Sequence, residues 1–303
     1  MTEKKIITVF AGKGGVGKTT CAAATALYYA GCGYRTLAIS TDPTPSLADI
    51  FEVDGEYRLA KVNDCLHIRE IGLDETKQMW DNKFGHEVYD VFSSFVNISY
   101  PEFVDFMISL LPGLRDEFMV DYIRELSGKD DLDVLIWDTA PLGQTLTLLE
   151  TPAMLRQHLR MAPRIYSRLR VGKQSRKPVL EIIKRWEKLS TENIRFLQKD
   201  VNFCIVTIAE ALAVNQLERV FAELGRYELK PGQLIVNNLV RSDGSAFLDS
   251  RAEEQSRYLK LIQAIASRLT IVEVPMFAGE IRGLDRLSEF QSCLFPSHES
   301  ANH

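Results

Sequence analysis

Residues 12–19, Gly12-Lys13-Gly14-Gly15-Val16-Gly17-Lys18-Thr19, constrain this chain more than any other stretch. They satisfy G-x-x-x-x-G-K-[ST] and stand between an apolar strand pattern and a helical one, the context that gives the motif meaning. Glycines there let backbone N–H groups turn inward around an anion, and the following helix directs its positive end at the same point. The pattern puts Lys18 against the outer phosphates of a nucleotide and Thr19 against a magnesium ion. Thr20 continues the phosphate-facing turn.

The remaining sequence supplies a sheet to carry such a loop. Runs at Ile6–Ala11, Thr36–Ser40, Val134–Trp137, Phe203–Ile208, Gln233–Asn237 and Ile271–Val274 read as strands, most of them apolar throughout and so covered on both faces. Helical patterns lie between them at Thr20–Ala30, Gln216–Leu224 and Glu253–Ser267. Alternating strands and helices predict an α/β fold with a doubly wound, mostly parallel sheet. Two intervals break the alternation. Leu73–Gly128 carries only helical signals, so residues 73–128 read as a helical subdomain inserted into one domain spanning 1–303. Residues 148–199 form a second helical segment, basic in its middle, with a helix over Pro178–Leu197.

A chain of 303 residues with 46% hydrophobic residues can bury a real core, and its net charge of -5 argues against nucleic acid as a partner. The opening apolar run enters glycines after a few residues, so it does not read as a signal peptide. No stretch approaches about 18 uninterrupted apolar residues, the length of a spanning helix. Five scattered cysteines without a CxxC pair fit a reduced, cytoplasmic setting.

Two aspartates follow strands and are candidates for the chemistry. Asp138 ends Val134–Asp138 and heads DTAPLGQTL, a small-residue stretch suited to a loop near the terminal phosphate. Asp42, in TDPTPSLADIF, lies at a strand's C-terminal end, where open parallel sheets place ligands and where a carboxylate can orient a water. The same residue also fits a turn aspartate before Pro43. Lys13 is a second lysine in the loop, beyond what the motif requires.

KGGVGKT resembles the deviant Walker A motif of dimeric ATPases, in which an extra lysine reaches the partner's nucleotide. Further stretches resemble the branch holding the arsenical-pump and tail-anchored protein targeting ATPases. DPTPSLADIF is similar to its switch I, with Asp42 on the catalytic aspartate, and DTAPLGQTL to its switch II, with Gln144 where histidine is common. IAEALAVNQLER puts Glu210 on an acidic residue that approaches the partner's nucleotide, and IVNNL puts Asn237 on an adenine-reading asparagine. VPMFAGEIRGLDRL, with Pro275 and Phe277, resembles the adenine-side loop. The resemblance implies a cytoplasmic homodimeric ATP hydrolase using ATP and Mg²⁺. Lys13, Lys18 and Asp42 would be catalytic, and Thr19, Asp42 and Asp138 would surround the metal, partly through water.

The resemblance also implies that residues 73–128 form a groove for a hydrophobic client helix, such as that of a tail-anchored membrane protein, with a membrane receptor as a further partner. Val88, Val91, Phe92, Phe95, Val96, Phe103, Phe106, Met107, Leu110 and Leu111 have the spacing of an apolar helix face. Packing on a core would use the same spacing. The branch's zinc-binding CxxC has no counterpart in Leu239–Val274, where Ser245 and Leu248 take its place, so no zinc is expected. Arsenite efflux, which demands sulfur ligands, and a positioning or partition role are the alternatives.

Overall fold

β1 (Ile6–Gly12) lies inside an eight-stranded sheet with β2 (Thr36–Ser40), β3 (Ala60–Lys61), β4 (Leu66–Glu70), β5 (Val134–Asp138), β6 (Val201–Ile208), β7 (Pro231–Leu239) and β8 (Thr270–Pro275). The computed structural model describes residues 5–42, 46–53, 59–86, 89, 93, 98–104, 112–139, 157 and 176–296. Strand order is β3-β4-β2-β5-β1-β6-β7-β8, and only the β3–β4 pair is antiparallel. After β1 the chain moves to one side of the sheet to form β2 and β4. It then returns to form β5 beside β1 and continues on the other side with β6, β7 and β8. The strand order therefore reverses at the β5–β1 pair, the place where doubly wound sheets open a crevice at their carboxyl ends.

Burial explains the strand sequences. β5 (VLIWD) is buried at every position and β1 at all but its first, so neither shows the alternation of a half-exposed strand. β4 has no such apolar run and was not among the strands read from sequence. Its LHIRE alternates instead, with Leu66, Ile68 and Glu70 inside, and it exists through its parallel pairing with β2.

Helix α1 (Lys18–Gly31) packs close to the sheet because its buried face is built from small side chains, Cys21, Ala22, Ala23, Ala24 and Ala26. Helix α8 (Gly283–Leu294) covers α1 and adds Leu287, Phe290 and Leu294 to the same core as Phe10, Ile136 and Val206. A short α2 (Leu47–Phe51) follows β2. Two longer helices, α6 (Ala211–Arg226) and α7 (Ala246–Ile265), start five and seven residues before the positions read from sequence.

The chain divides into two compact units: Met1–Ile71, Lys129–Thr145 and Asp200–His303 in the first, Gly72–Gly128 and Leu146–Lys199 in the second. The second unit holds α3 (Leu73–Trp80), a π-helical turn at Asp81–Gly85, α4 (Pro112–Ser127) and α5 (Arg176–Lys199). Its two stretches of chain, far apart in sequence, thus share one compact body. Phe103, Met119, Val120 and Ile123 are buried in it, and the Phe103 ring lies 5.4 Å from that of Tyr89. Phe103 is therefore a core residue here. The other nine apolar positions of the expected groove, and the basic stretch Arg164–Lys177 up to residue 175, lie outside the described residues. No helix among the described residues is long and apolar enough to cross a membrane.

Candidate functional site

The phosphate loop leaves β1 at Gly12, opposite Val206 of β6. A Cβ at Gly12 would stand 2.2 Å from the Val206 carbonyl oxygen, so the strands can approach this closely only with glycine there. Gly15 and Gly17 take φ of 77° and 93°, the left-handed region, and turn the loop into α1. The first turn of that helix carries no acidic side chain, and its cap residue, Gly17, makes no side-chain hydrogen bond. Its N-terminal N–H groups are thereby kept for an anion.

Lys18 is only 6% exposed, and its Nζ donates to the Lys13 carbonyl oxygen at 3.2 Å. Burial lowers its pKa, while Asp138 and Asp42 act in the opposite direction. A lysine so placed favours an arriving negative charge, because phosphate would compensate its desolvation. Lys13 and Thr19 are half-buried, Thr20 likewise, and Gly14 and Gly15 are exposed.

The two aspartates meet at the same edge. Asp138 pairs in register with Phe10 of β1 and with Ser40 of β2. It is 1% exposed; its Oδ2 accepts from Ser40 Oγ at 3.1 Å, and its Oδ1 has no partner. Burial raises its pKa to about 7, against hydrogen bonds from Thr19 and Ser40 and the charge of Lys18. Ser40 serves both aspartates, since its Oγ also accepts from the Asp42 backbone N–H at 3.3 Å. Two further bonds hold this corner: Thr41 N donates to the Asp138 carbonyl at 3.0 Å, and the buried Trp137 Nε1 donates to Thr41 Oγ1 at 3.0 Å. Thr139 Oγ1 ties the exit of β5 to the Phe10 carbonyl at 2.7 Å. Residues 43–45 of the expected switch I and 140–146 of the expected switch II lie outside the described residues.

Ser40, Thr41 and Trp137 join this corner without belonging to any motif in the sequence. Their only signal was position: each sits at the carboxyl end of a strand beside an aspartate.

The residues expected on the base side lie at the ends of β7 and β8. Asn237 is 4% exposed, and its Nδ2 donates to the Val16 carbonyl of the phosphate loop at 2.9 Å, which leaves Oδ1 buried and unpartnered. Asn238, not Asn237, takes the left-handed conformation, φ 56°, where the β7–β8 register slips. Pro275 ends β8, Met276 N donates to the Leu239 carbonyl at 2.8 Å, and Phe277 packs on Phe290 with ring centroids 5.5 Å apart. Arg282 Nε donates to the Asp49 carbonyl of α2 at 3.3 Å, joining the loop before α8 to the helix after Asp42. Glu210 stands at the residue before α6 without a side-chain capping bond, its carboxylate pairing instead with Arg251 at 2.8 Å on a partly exposed surface. Ser245 caps α7 instead, its Oγ accepting from Leu248 N at 3.3 Å.

Of the residues singled out from sequence, the structure gathers Gly12 to Thr20, Asp42, Asp138 and Asn237 around one edge. Glu210 is engaged with Arg251 on α7. The donor set suits a magnesium nucleotide: the loop and Lys18 suit phosphates, the open Asp138 oxygen and the Thr19 hydroxyl suit a hydrated hard cation, and the open Asn237 oxygen suits an amino hydrogen.

The fold and this edge define a P-loop ATPase of the doubly wound class. The sequence profile of the anion-transporting ATPase family matches residues 4–296, and the chain belongs to that family. Two proteins named as arsenical pump-driving ATPases are similar to it. One, from Chlorobaculum tepidum, is 29% identical over 94% of this chain and 74% of its own length. The other, from Aquifex aeolicus, is 27% identical over 94% of this chain and 97% of its own. A third relative, ATPase GET3 of Pyricularia oryzae, is 25% identical over 97% of this chain and 92% of its own length.

Proposed function

We propose that this ATPase works as a cytoplasmic Mg²⁺-dependent homodimer whose nucleotide-driven opening and closing captures and releases a hydrophobic client, the transmembrane helix of a tail-anchored membrane protein. The observation that carries the nucleotide part is Asp138: a buried carboxylate with one oxygen left open, at the strand end beside the phosphate loop. Such a group costs folding energy unless a ligand completes it. The client part rests on the resemblance of the motifs and on relatives named GET3.

In this reading the N–H groups from Gly12 to Thr20 and the Lys18 ammonium bind the phosphates. The Thr19 hydroxyl and, through water, Asp138 and Asp42 hold magnesium, which would screen the charge growing on the transferred phosphoryl group. Asp42 orients the attacking water, positioned by the Ser40 hydroxyl through its backbone N–H. Lys13 of the deviant Walker A motif reaches the partner's nucleotide, as does Glu210 once released from Arg251. Asn237 accepts from the adenine amino group, with Pro275 and Phe277 flanking the base.

Relatives named for an arsenical pump support a second reading, stimulation of hydrolysis by arsenite. Against it stands chemistry: none of the five cysteines falls in residues 73–128, and arsenite prefers thiolates.

The test is purification of Asp42→Asn, which should retain ATP without hydrolysing it, together with a tagged protein ending in one transmembrane helix. A soluble complex with the apolar helix, and none when that helix carries charges, is expected. Recovery of an ATP-loaded dimer without client would end the client reading. Adding arsenite to the wild-type hydrolysis assay decides the second.

A further inference from the structure

Asn237 reaches beyond the base. Its Nδ2 donates across 221 residues of sequence to the Val16 carbonyl, and a Cβ on Gly17 would stand 2.3 Å from that same nitrogen. The bond therefore grips the Val16–Gly17 peptide, the last unit before the phosphate loop becomes α1. A peptide is planar, with its C=O and N–H pointing opposite ways, so anchoring the Val16 oxygen fixes the direction of the Gly17 N–H. That N–H is one of the donors a loop of this kind offers to an anion.

Asn237 is itself held. Gln255 on α7 donates from Nε2 to the Asn238 carbonyl at 3.1 Å and accepts at Oε1 from Val240 N at 2.7 Å, closing the strand end on both sides of the register slip. Gln255 is buried, so this clasp is shielded from water. With Nδ2 committed to Val16, the amide has one orientation, and the atom left open in the buried site is an acceptor.

We propose that Asn237 is a positioning residue of the phosphate loop as well as a reader of the base. Its nitrogen sets the Val16–Gly17 peptide for phosphate binding. That commitment presents Oδ1 as an acceptor, so the site takes a purine with a 6-amino group and rejects one with a 6-oxo group. Phosphate grip and base selection are thereby linked in one side chain. The inference rests on the nucleotide reading above.

A ligand with phosphates but no base separates the two roles. Binding of Mg²⁺-tripolyphosphate, Mg²⁺-ATP and Mg²⁺-GTP is measured by calorimetry on the full chain and on Asn237→Leu, which keeps the branched heavy-atom shape and removes both polar atoms. Asn237→Ala is the second variant, should leucine not fold. Urea midpoints show that the compared proteins are native. The expected result is a loss of about tenfold in tripolyphosphate affinity, as for one hydrogen bond of about 1.4 kcal/mol, together with loss of the preference for ATP over GTP. Unchanged tripolyphosphate affinity beside weakened ATP binding would overturn the positioning role and leave a residue that serves the base alone. A retained preference for ATP would overturn the selection role. Failure of the wild type to bind either ATP or tripolyphosphate would remove the nucleotide reading and this inference with it.

Discussion

Asp121 in the helical unit and Asp138 in the sheet unit are both shut away from water, at 0% and 1% exposure, yet their surroundings are opposite. Asp121 on α4 is gripped by cations on both oxygens, with Arg124 Nη2 at 2.7 Å and Lys83 Nζ on the other oxygen. The network continues, since Lys83 also meets Glu125 and Arg124 reaches Asn193 at 2.9 Å and Glu192 at 3.3 Å. Asp138 has hydroxyl partners, a lysine at longer range, and one oxygen with nothing. The first is a closed structural charge. The second is a charge left incomplete at the strand end beside the phosphate loop, where burial pushes its pKa up to about 7.

The largest effect that can break this contrast is expected from Asp121→Ala. It leaves Lys83 and Arg124 facing one another without the carboxylate between them, and a cost of about 3–5 kcal/mol is expected in urea unfolding. A loss below about 1 kcal/mol would show that the pair relaxes into water and that the helical charge is not closed.

Asp138→Asn should act in the other direction. The folded-state pKa of about 7 lies above the ordinary carboxylate value of 3.8, so the folded protein binds this proton more tightly than the unfolded chain. Stability contributed by the group is present below the unfolded pKa and falls as pH rises through that window. Without nucleotide or magnesium, Asp138→Asn is therefore expected to be more stable than wild type above pH 7, by on the order of 4 kcal/mol, and to match it near pH 4. The variant should lose Mg²⁺-dependent hydrolysis. Equal stability at both pH values would mean that Asp138 is satisfied without ligand, and the contrast with Asp121 would fail.

The smallest effect sharpens the comparison with an exposed aspartate next to the same strand. Asp133 accepts from Arg35 Nε at 2.9 Å and from its backbone N–H at 2.9 Å, and these bonds hold its carboxyl down at about 2. Its contribution is present above the unfolded pKa and is lost as pH falls through about 2, the reverse of Asp138. Both side chains are substantially exposed, so Arg35→Ala should shift the urea midpoint at pH 7 far less than Asp121→Ala does.

The parts of the site that were legible in sequence are those whose chemistry is local. A glycine spacing that must turn a backbone around an anion is written in eight consecutive residues, and an aspartate closing a buried strand is written in five. Ser40, Trp137 and Gln255 were not legible, because each acts on a group brought near by strand register or by a distant helix. β4 was missed for a related reason: a five-residue strand with His67 and Arg69 in it is stabilised by the neighbour it pairs with, not by its own pattern. Phe103 shows the limit of periodicity, which cannot tell a groove from a core; its burial decides.

The sequence by itself determined the loop, the buried strands beside it and the residue types at their carboxyl ends, since periodicity, glycine placement and strand-end aspartates are local properties of a chain. The tertiary structure alone decided that Ser40 serves two aspartates, that Asp138 keeps an open oxygen, and that Asn237 holds the peptide before α1. Each depends on which strands lie side by side, and no local pattern encodes the distance between residues 16 and 237.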